Sequence, residues 1–360
     1  MLNNTANLEI KVPMVSLSNK AIKCIVWDLD NTLWEGILSE GDNVTLKPGI
    51  VSLIEWLDRR GVINSIASKN CHEDAMAKLK SFGIDHLFLY PQINWNAKSE
   101  SVKNIQQSLN IGIDTFLFVD DQVFEREEVA AVHPLVTTLD ALDYQRIESL
   151  PRIINFKVSD DAAMRRVRYQ EDMMRQESES KYSGTPEHFL STLNMQFKIT
   201  AACKEDLLRA EELTLRTNQL NSTGVTYNAQ ELEKLMNDEN HDLLVCELTD
   251  KFGSYGKIGL VLIEKGVAVD KIKLLLMSCR VASRGVGSVL LTHLNNYARQ
   301  RGIERLQADF RRTTRNRQML MTYQFSGFSE IRKNAEDIIV FEKPISSHQP
   351  YPEYINVLTA

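Results

Sequence analysis

Cysteine is scarce and poorly placed for a structural role: five residues, at positions 24, 71, 203, 246 and 279 of 360, form an odd number in no metal-ligand spacing. That excludes a disulfide framework and a cysteine-built zinc site, and leaves reduced cytosolic thiols as the expectation for all but one or two. No apolar run approaches the roughly 20 residues of a membrane-spanning helix, so no membrane partner is expected. Positive charge is also short. Lys and Arg number 42 against 48 Asp and Glu, a net charge of −6, which argues against general nucleic-acid binding. The opening Met1-Leu2-Asn3-Asn4-Thr5 has no basic region leading into an apolar stretch, so no secretory signal is expected and the protein reads as cytoplasmic.

What is present suits two ordinary soluble domains. The first is organised around Lys23-Cys24-Ile25-Val26-Trp27-Asp28-Leu29-Asp30-Asn31-Thr32. An apolar run long enough for a buried strand delivers two carboxylates to its C-terminal edge, where a parallel sheet places its chemistry. Further strands are expected at 62–67, 86–89 and 115–119, alternating with helices, which implies a doubly wound parallel α/β sheet. Their ends present Ser68, the loop to Lys98, and Asp120 with Asp121. Carboxylates at i and i+2 suit phosphoryl transfer. Asp28 can attack phosphorus and share Mg²⁺ with the backbone carbonyl of Asp30, Asp120 and, directly or through water, Asp121. The side chain of Asp30 is then free to serve as acid and base. Ser68 can hydrogen-bond a phosphoryl oxygen, and Lys98 can offset the charge of Asp28 and of the transition state.

These four groups in this order resemble the motifs of the haloacid-dehalogenase (HAD) phosphatase superfamily. The segments Thr32-Leu33-Trp34, Ser68-Lys69-Asn70 and Phe118-Val119-Asp120-Asp121…Phe124-Glu125-Arg126-Glu127 are similar to one subgroup, the FkbH-like proteins; the resemblance adds Thr32 and Asn70 as substrate contacts. Neither Trp34 to Pro48 nor Ser68 to Lys98 is long enough for a large cap, so an open site is expected.

The expected division is an N-terminal extension over 1–19, the HAD-like domain over 20–150, a connector with a charged, solvated helix over 151–183, a second domain over 184–345 and a poorly ordered tail over 346–360. The order of elements in 184–345 resembles the GNAT acyltransferase fold. Its most specific part is Arg284-Gly285-Val286-Gly287 opening a helix, with Gly285 and Gly287 allowing backbone N–H groups to approach a cofactor pyrophosphate. Ala282 stands where a Gln or Arg commonly begins that loop. The FkbH-like resemblance extends here through Arg216-Thr217-Asn218-Gln219-Leu220-Asn221 and Ser278-Cys279-Arg280-Val281, making Arg216, Asn218 and Gln219 candidates for an anionic acyl group. Cys279 leads into a helix N-terminus beside Arg280 and Arg284, surroundings that favour the thiolate. Cys71, at the start of a helix beyond Ser68, is its rival.

The resemblance as a whole implies a bifunctional enzyme. It would dephosphorylate 1,3-bisphosphoglycerate and load D-glyceryl, as a thioester carried by an enzyme cysteine, onto the phosphopantetheine arm of an acyl carrier protein for polyketide assembly. The arginines of 299–317 are a candidate dock for such an acidic partner. A phosphatase joined to a separate acyl-CoA-dependent GNAT activity, and a scaffold with a degenerate phosphatase site, are the competing readings.

Overall fold

A computed structural model describes residues 20–155, 158, 160–217, 219–345 and 347–359. The chain divides into two compact units, 1–158 and 159–360.

In the first unit, β1 (Cys24–Trp27) is followed by a two-residue hairpin, β2 (Trp34–Glu35) and β3 (Thr45–Leu46). Next come α1 (Ile50–Arg59), β4 (Ile63–Ser68), α2 (His72–Ser81), β5 (Gln92–Ile93), α3 (Lys98–Leu109), β6 (Phe116–Asp120), α4 (Val123–Val132), β7 (Thr137–Asp140) and α5 (Pro151–Ile154). The main sheet has the order β5-β4-β1-β6-β7, with every pair parallel. This is the HAD-like doubly wound arrangement, and all strands finish at one edge. Strand β1 is central, so its residues are buried on both faces. Only the small β2–β3 hairpin stands where a cap would be inserted.

The run Leu87-Phe88-Leu89 is not the expected third strand. It leaves a 3-10 turn at Asp85–Leu87 and meets β4 in a single parallel bridge, Phe88 with Asn64; Tyr90, at φ 52°, and Pro91 then break the extension, and strand pairing resumes at Gln92–Ile93.

The second unit contains α6 (Arg165–Ser180), α7 (Pro186–Ser191), β8 (Met195–Ala201), α8 (Leu207–Arg216), α9 (Ala229–Met236), β9 (His241–Asp250), β10 (Gly253–Glu264) and β11 (Val269–Met277). The remainder is α10 (Val286–Gln300), β12 (Arg305–Arg311), α11 (Arg317–Phe325), β13 (Ser329–Lys333), β14 (Ile338–Pro344) and β15 (Ile355–Thr359). The sheet order is β13-β14-β12-β11-β10-β9-β8-β15, antiparallel except for β11 with β12 and β8 with β15. This mixed sheet is the GNAT-like half of the fold.

Strands β11 and β12 pair only from Val269 to Ile272 and then diverge. Residues 220–222 fill the gap. Met277 N–H donates to Leu220 O at 2.8 Å, Ser222 N–H to Leu275 O at 2.9 Å, and Arg311 N–H to Ser222 O at 2.9 Å. The buried Asn221 shapes this wedge by accepting from the N–H groups of Thr223 and Gly224 at 3.1 and 2.8 Å.

Two expectations are corrected here. The charged helix α6 lies inside the second unit, with Arg175 fully buried and bonded through two nitrogens to Asp250 at 2.7 and 2.9 Å. Arg175 is thus paired with β9, Arg165 pairs with Glu212 of α8 and Arg168 with Asp161, which is why these charges tolerate burial. The tail is likewise ordered structure, since β15 adds a parallel strand beside β8.

Candidate active site

Strand β1 hands the chain to Asp28, which is 5% exposed, and β6 ends on Asp120, which is 1% exposed. The Lys98 ammonium, supplied by the first residue of α3, lies between them. It bonds to Asp28 Oδ1, to Asp120 Oδ2 at 3.1 Å and to the Ala67 carbonyl at 2.7 Å. Burial works against its charge, but Asp28 and Asp120 outweigh that and raise its pKa. Asp120 is pushed up to about 6, by burial first and by Asp28 as well, with Lys98 opposing. Burial also raises Asp121.

Carboxylate oxygens of Asp28, Asp120 and Asp121 lie within 4.8 Å of one another. Asp121 Oδ1 is buried without a hydrogen-bond partner, an orphaned acceptor that a cation would satisfy. Hard oxygen donors carrying this much negative charge fit Mg²⁺.

Asp30 is turned away from that cluster. Its Oδ1 accepts from Trp34 Nε1 at 2.8 Å and from the Leu38 N–H at 3.1 Å, and its Oδ2 accepts from Asn70 Nδ2 at 3.0 Å. Burial raises its pKa above the ordinary carboxylate value, as suits an acid. Asn70 is therefore a positioning residue for Asp30, not the substrate contact expected. Thr32 is corrected in the same way: it is fully buried and its hydroxyl accepts from the Asp121 N–H at 3.1 Å, latching the metal-side loop. Ser68, buried at the end of β4, makes no side-chain hydrogen bond among the described residues, which leaves Oγ for a phosphoryl oxygen. Trp34 is the participant that sequence reasoning missed. Its spacing of four residues from Asp30 was the available signal.

In the second unit, Cys279 is exposed at the start of a 3-10 turn, Cys279–Arg284, directly after β11. Arg280 is partly exposed and donates to the Tyr255 carbonyl at 3.1 Å. Arg216 is partly exposed and pairs with Glu212 at 2.8 Å; Gln219 is exposed, and Asn218 lies outside the described residues. Arg284 is corrected: it is buried and its charge is spent on Glu179 at 3.0 Å. A Cβ on Gly285 would strike the Tyr354 hydroxyl, and one on Gly287 would lie 2.9 Å from Met277 and 3.1 Å from Thr322. These glycines make room for the chain's own side chains, while Gly285 and Gly287 stay partly exposed and Ser288 is exposed at the start of α10. The rival thiol, Cys71, gains from the Asp74 N–H, but the carboxyls of Asp74 and Glu73 outweigh it and raise its pKa.

No protein-family model matches the chain, and no curated protein does. Solved structures match parts of it. The phosphatase-domain-containing N-terminal part of a Bacteroides fragilis protein, complexed with Mg, is 30% identical over 39% of this chain and 42% of its own, with a TM-score of 0.32. The chain thus spans less than half of that structure. The ribosomal-protein alanine N-acetyltransferase of Escherichia coli is 17% identical over 42% of this chain and 95% of its own, with a TM-score of 0.34. Spermidine N-acetyltransferase of Vibrio cholerae, in complex with CoA and spermine, is 16% identical over 42% and 98%, with a TM-score of 0.33.

Proposed function

We propose that the chain is a bifunctional enzyme whose first unit is a Mg²⁺-dependent phosphatase and whose second unit is an acyltransferase. The observation that carries the reading is the convergence of Asp28, Asp120 and Asp121 around Lys98 at one sheet edge. Mg²⁺ held by these carboxylates would neutralise the phosphate and orient it. Asp28 Oδ attacks phosphorus, the bond from phosphorus to the leaving oxygen breaks, and Asp30 protonates that oxygen; Asp30 then takes a proton from the water that hydrolyses the aspartyl phosphate. Trp34, Leu38 and Asn70 hold Asp30 for both steps. Lys98 bonds Asp28 and offsets its charge, and Ser68 donates to the phosphoryl group.

For the second unit the proposed substrate is 1,3-bisphosphoglycerate and the acceptor an acyl carrier protein of polyketide assembly. The Cys279 thiolate attacks the C1 acyl-phosphate carbonyl, the carbon–oxygen bond breaks and inorganic phosphate leaves, the phosphate ester on C3 is hydrolysed by the phosphatase activity of the first unit, and the glyceryl group passes to the phosphopantetheine thiol with return of the Cys279 thiolate. Exposure and Arg280 favour Cys279 over Cys71, whose pKa is raised by neighbouring carboxyls. The acyl-CoA reading is weakened by the wedge at 220–222, which fills the gap where β11 and β12 diverge.

Intact-protein mass spectrometry after incubation with Mg²⁺ and enzymatically generated 1,3-bisphosphoglycerate, with and without holo carrier protein, tests both halves. A glyceryl adduct lost only in Cys279→Ala and passed to the carrier supports the acyl step; loss only in Cys71→Ala moves it to the other thiol. Phosphate release should fall by about 10³-fold or more in Asp28→Asn and by about 10²–10⁴-fold in Asp30→Asn. Release that survives Asp28→Asn would sink the phosphatase assignment.

A further inference from the structure

Helix α4 begins just after Asp120 and Asp121, and it bonds to each of the other loops that carry the phosphatase groups. Glu125, which is buried, pairs with Lys69 at 2.8 Å, one residue past Ser68 and one before Asn70. Arg126 donates through one nitrogen to the Asp120 carbonyl at 2.7 Å and through the other to Asp140, the last residue of β7, at 2.6 Å. Glu128 accepts from the Ser99 N–H at 3.0 Å and, through its other oxygen, from the Ser99 hydroxyl. His133, directly after α4, donates from Nε2 to the Ser99 carbonyl at 2.9 Å. All three polar groups of Ser99 are thus held from α4 and its C-terminal end, and Ser99 is the neighbour of Lys98.

This contact fills a gap that the sequence of α3 leaves. A helix start has N–H groups without intrahelical partners, which the N-cap side chain usually satisfies. The N-cap of α3 is Ala97, and its methyl group accepts nothing. Glu128 supplies the missing acceptor from the adjacent helix, and its negative charge suits the positive end of the α3 dipole. Lys98 is the first residue of α3, so the bonds to Ser99 fix where its backbone starts. From that point the ammonium must reach Asp28, Asp120 and the Ala67 carbonyl together. A shift of about 1 Å in such a group can cost about a hundredfold in rate.

We propose that α4 is the positioning element of the phosphatase site, and that Glu128 is the positioning residue for Lys98, acting through Ser99. Glu125 does the same for the Ser68-Lys69-Asn70 turn, and Arg126 for Asp120. One helix thereby sets the spacing between the counter-charge of the nucleophile, the phosphoryl-binding serine and a metal-side carboxylate. The effect on rate rests on the phosphatase reading; the effect on Mg²⁺ affinity does not.

Isothermal titration with Mg²⁺ and steady-state hydrolysis of p-nitrophenyl phosphate, both on the full chain, test the proposal. In Glu128→Gln the amide keeps one acceptor oxygen and turns its NH₂ toward the second Ser99 donor, so kcat should fall by about 10–100-fold. Ser99→Ala, which keeps the N–H bond, should lose less. Glu127→Gln makes the same charge change at an exposed position of the same helix and should match the parent. Mg²⁺ should bind Glu128→Gln severalfold more tightly than the parent, because the cation that competes for Asp28 and Asp120 has been loosened; a general loss of packing would weaken it instead. In a Lys98→Met background that gain should vanish, since Glu128 then has nothing left to position. The proposal is overturned if Glu128→Gln leaves kcat unchanged, if it weakens Mg²⁺ binding or leaves it unaltered, or if its effect persists undiminished without Lys98. If the parent binds Mg²⁺ but hydrolyses nothing, the phosphatase reading falls, while a tightened Mg²⁺ affinity in Glu128→Gln still supports the positioning.

Discussion

A single ammonium, Lys98, pairs with two buried carboxylates, Asp28 and Asp120. Replacing it with methionine leaves Asp28 and Asp120 desolvated without a counter-charge. The metal-free Lys98→Met variant should therefore lose about 3–5 kcal/mol of unfolding free energy. Urea unfolding in EDTA checks this, and an unchanged midpoint would show that the carboxylates are relieved in some other way. Asp28, Lys98, Asp120 and Asp121 were legible in the sequence because apolar runs fix where strands end, and strand ends of a parallel sheet share an edge. Thr32 and Asn70 were legible as members of the site but not in their roles. A short polar side chain in a loop bonds to whatever backbone or carboxylate the tertiary fold brings near, and spacing does not encode that target.

Helix α6 shows the same limit on a larger scale. Its composition reads as a solvated face, yet two glycines make room for it: a Cβ on Gly253 would strike the Glu171 carboxylate, and one on Gly256, at φ 73°, would strike the Arg168 guanidinium. A one-letter pattern reveals charge, not whether the partner strand has left space for it. The consequence for stability is directional. Burial opposes ionisation of Glu212, but Arg165, Arg216 and Arg209 outweigh it and hold the carboxyl well below the usual range. A depressed carboxyl contributes stability above its unfolded pKa of roughly 4.3 and loses it as pH falls toward the folded value. Glu212→Gln should thus cost about 3–5 kcal/mol near pH 7, because guanidiniums are left unpaired. The difference from the parent should shrink steadily below about pH 4. Denaturant unfolding at a series of pH values reads it, and a cost that grows on acidification would contradict the assignment.

The two units have separate sheets and separate buried cores, around Trp27 and Trp34 in one and Phe310 and Tyr323 in the other. Calorimetry should resolve two transitions. Millimolar Mg²⁺ should raise only that of the first unit, by the linkage between binding and folding; a uniform shift of both would place a cation site in the second. The fold class was readable because alternation of strands and helices dictates parallel winding. The tail was not, because β15 gains its stability from β8, whose sequence lies some 160 residues earlier. Helix α9 and strands β7 and β13 were missed outright. The wedge at 220–222 belongs with these long-range features, and it alters how the sheet breathes. Amides at a divergence of two strands ordinarily open to solvent easily. Those of Leu275, Met277 and Arg311 instead donate to Ser222 Oγ, Leu220 O and Ser222 O. Their deuterium uptake should be as slow as that of the sheet centre and should accelerate together in Asn221→Ala, making this seam a single hydrogen-exchange unit.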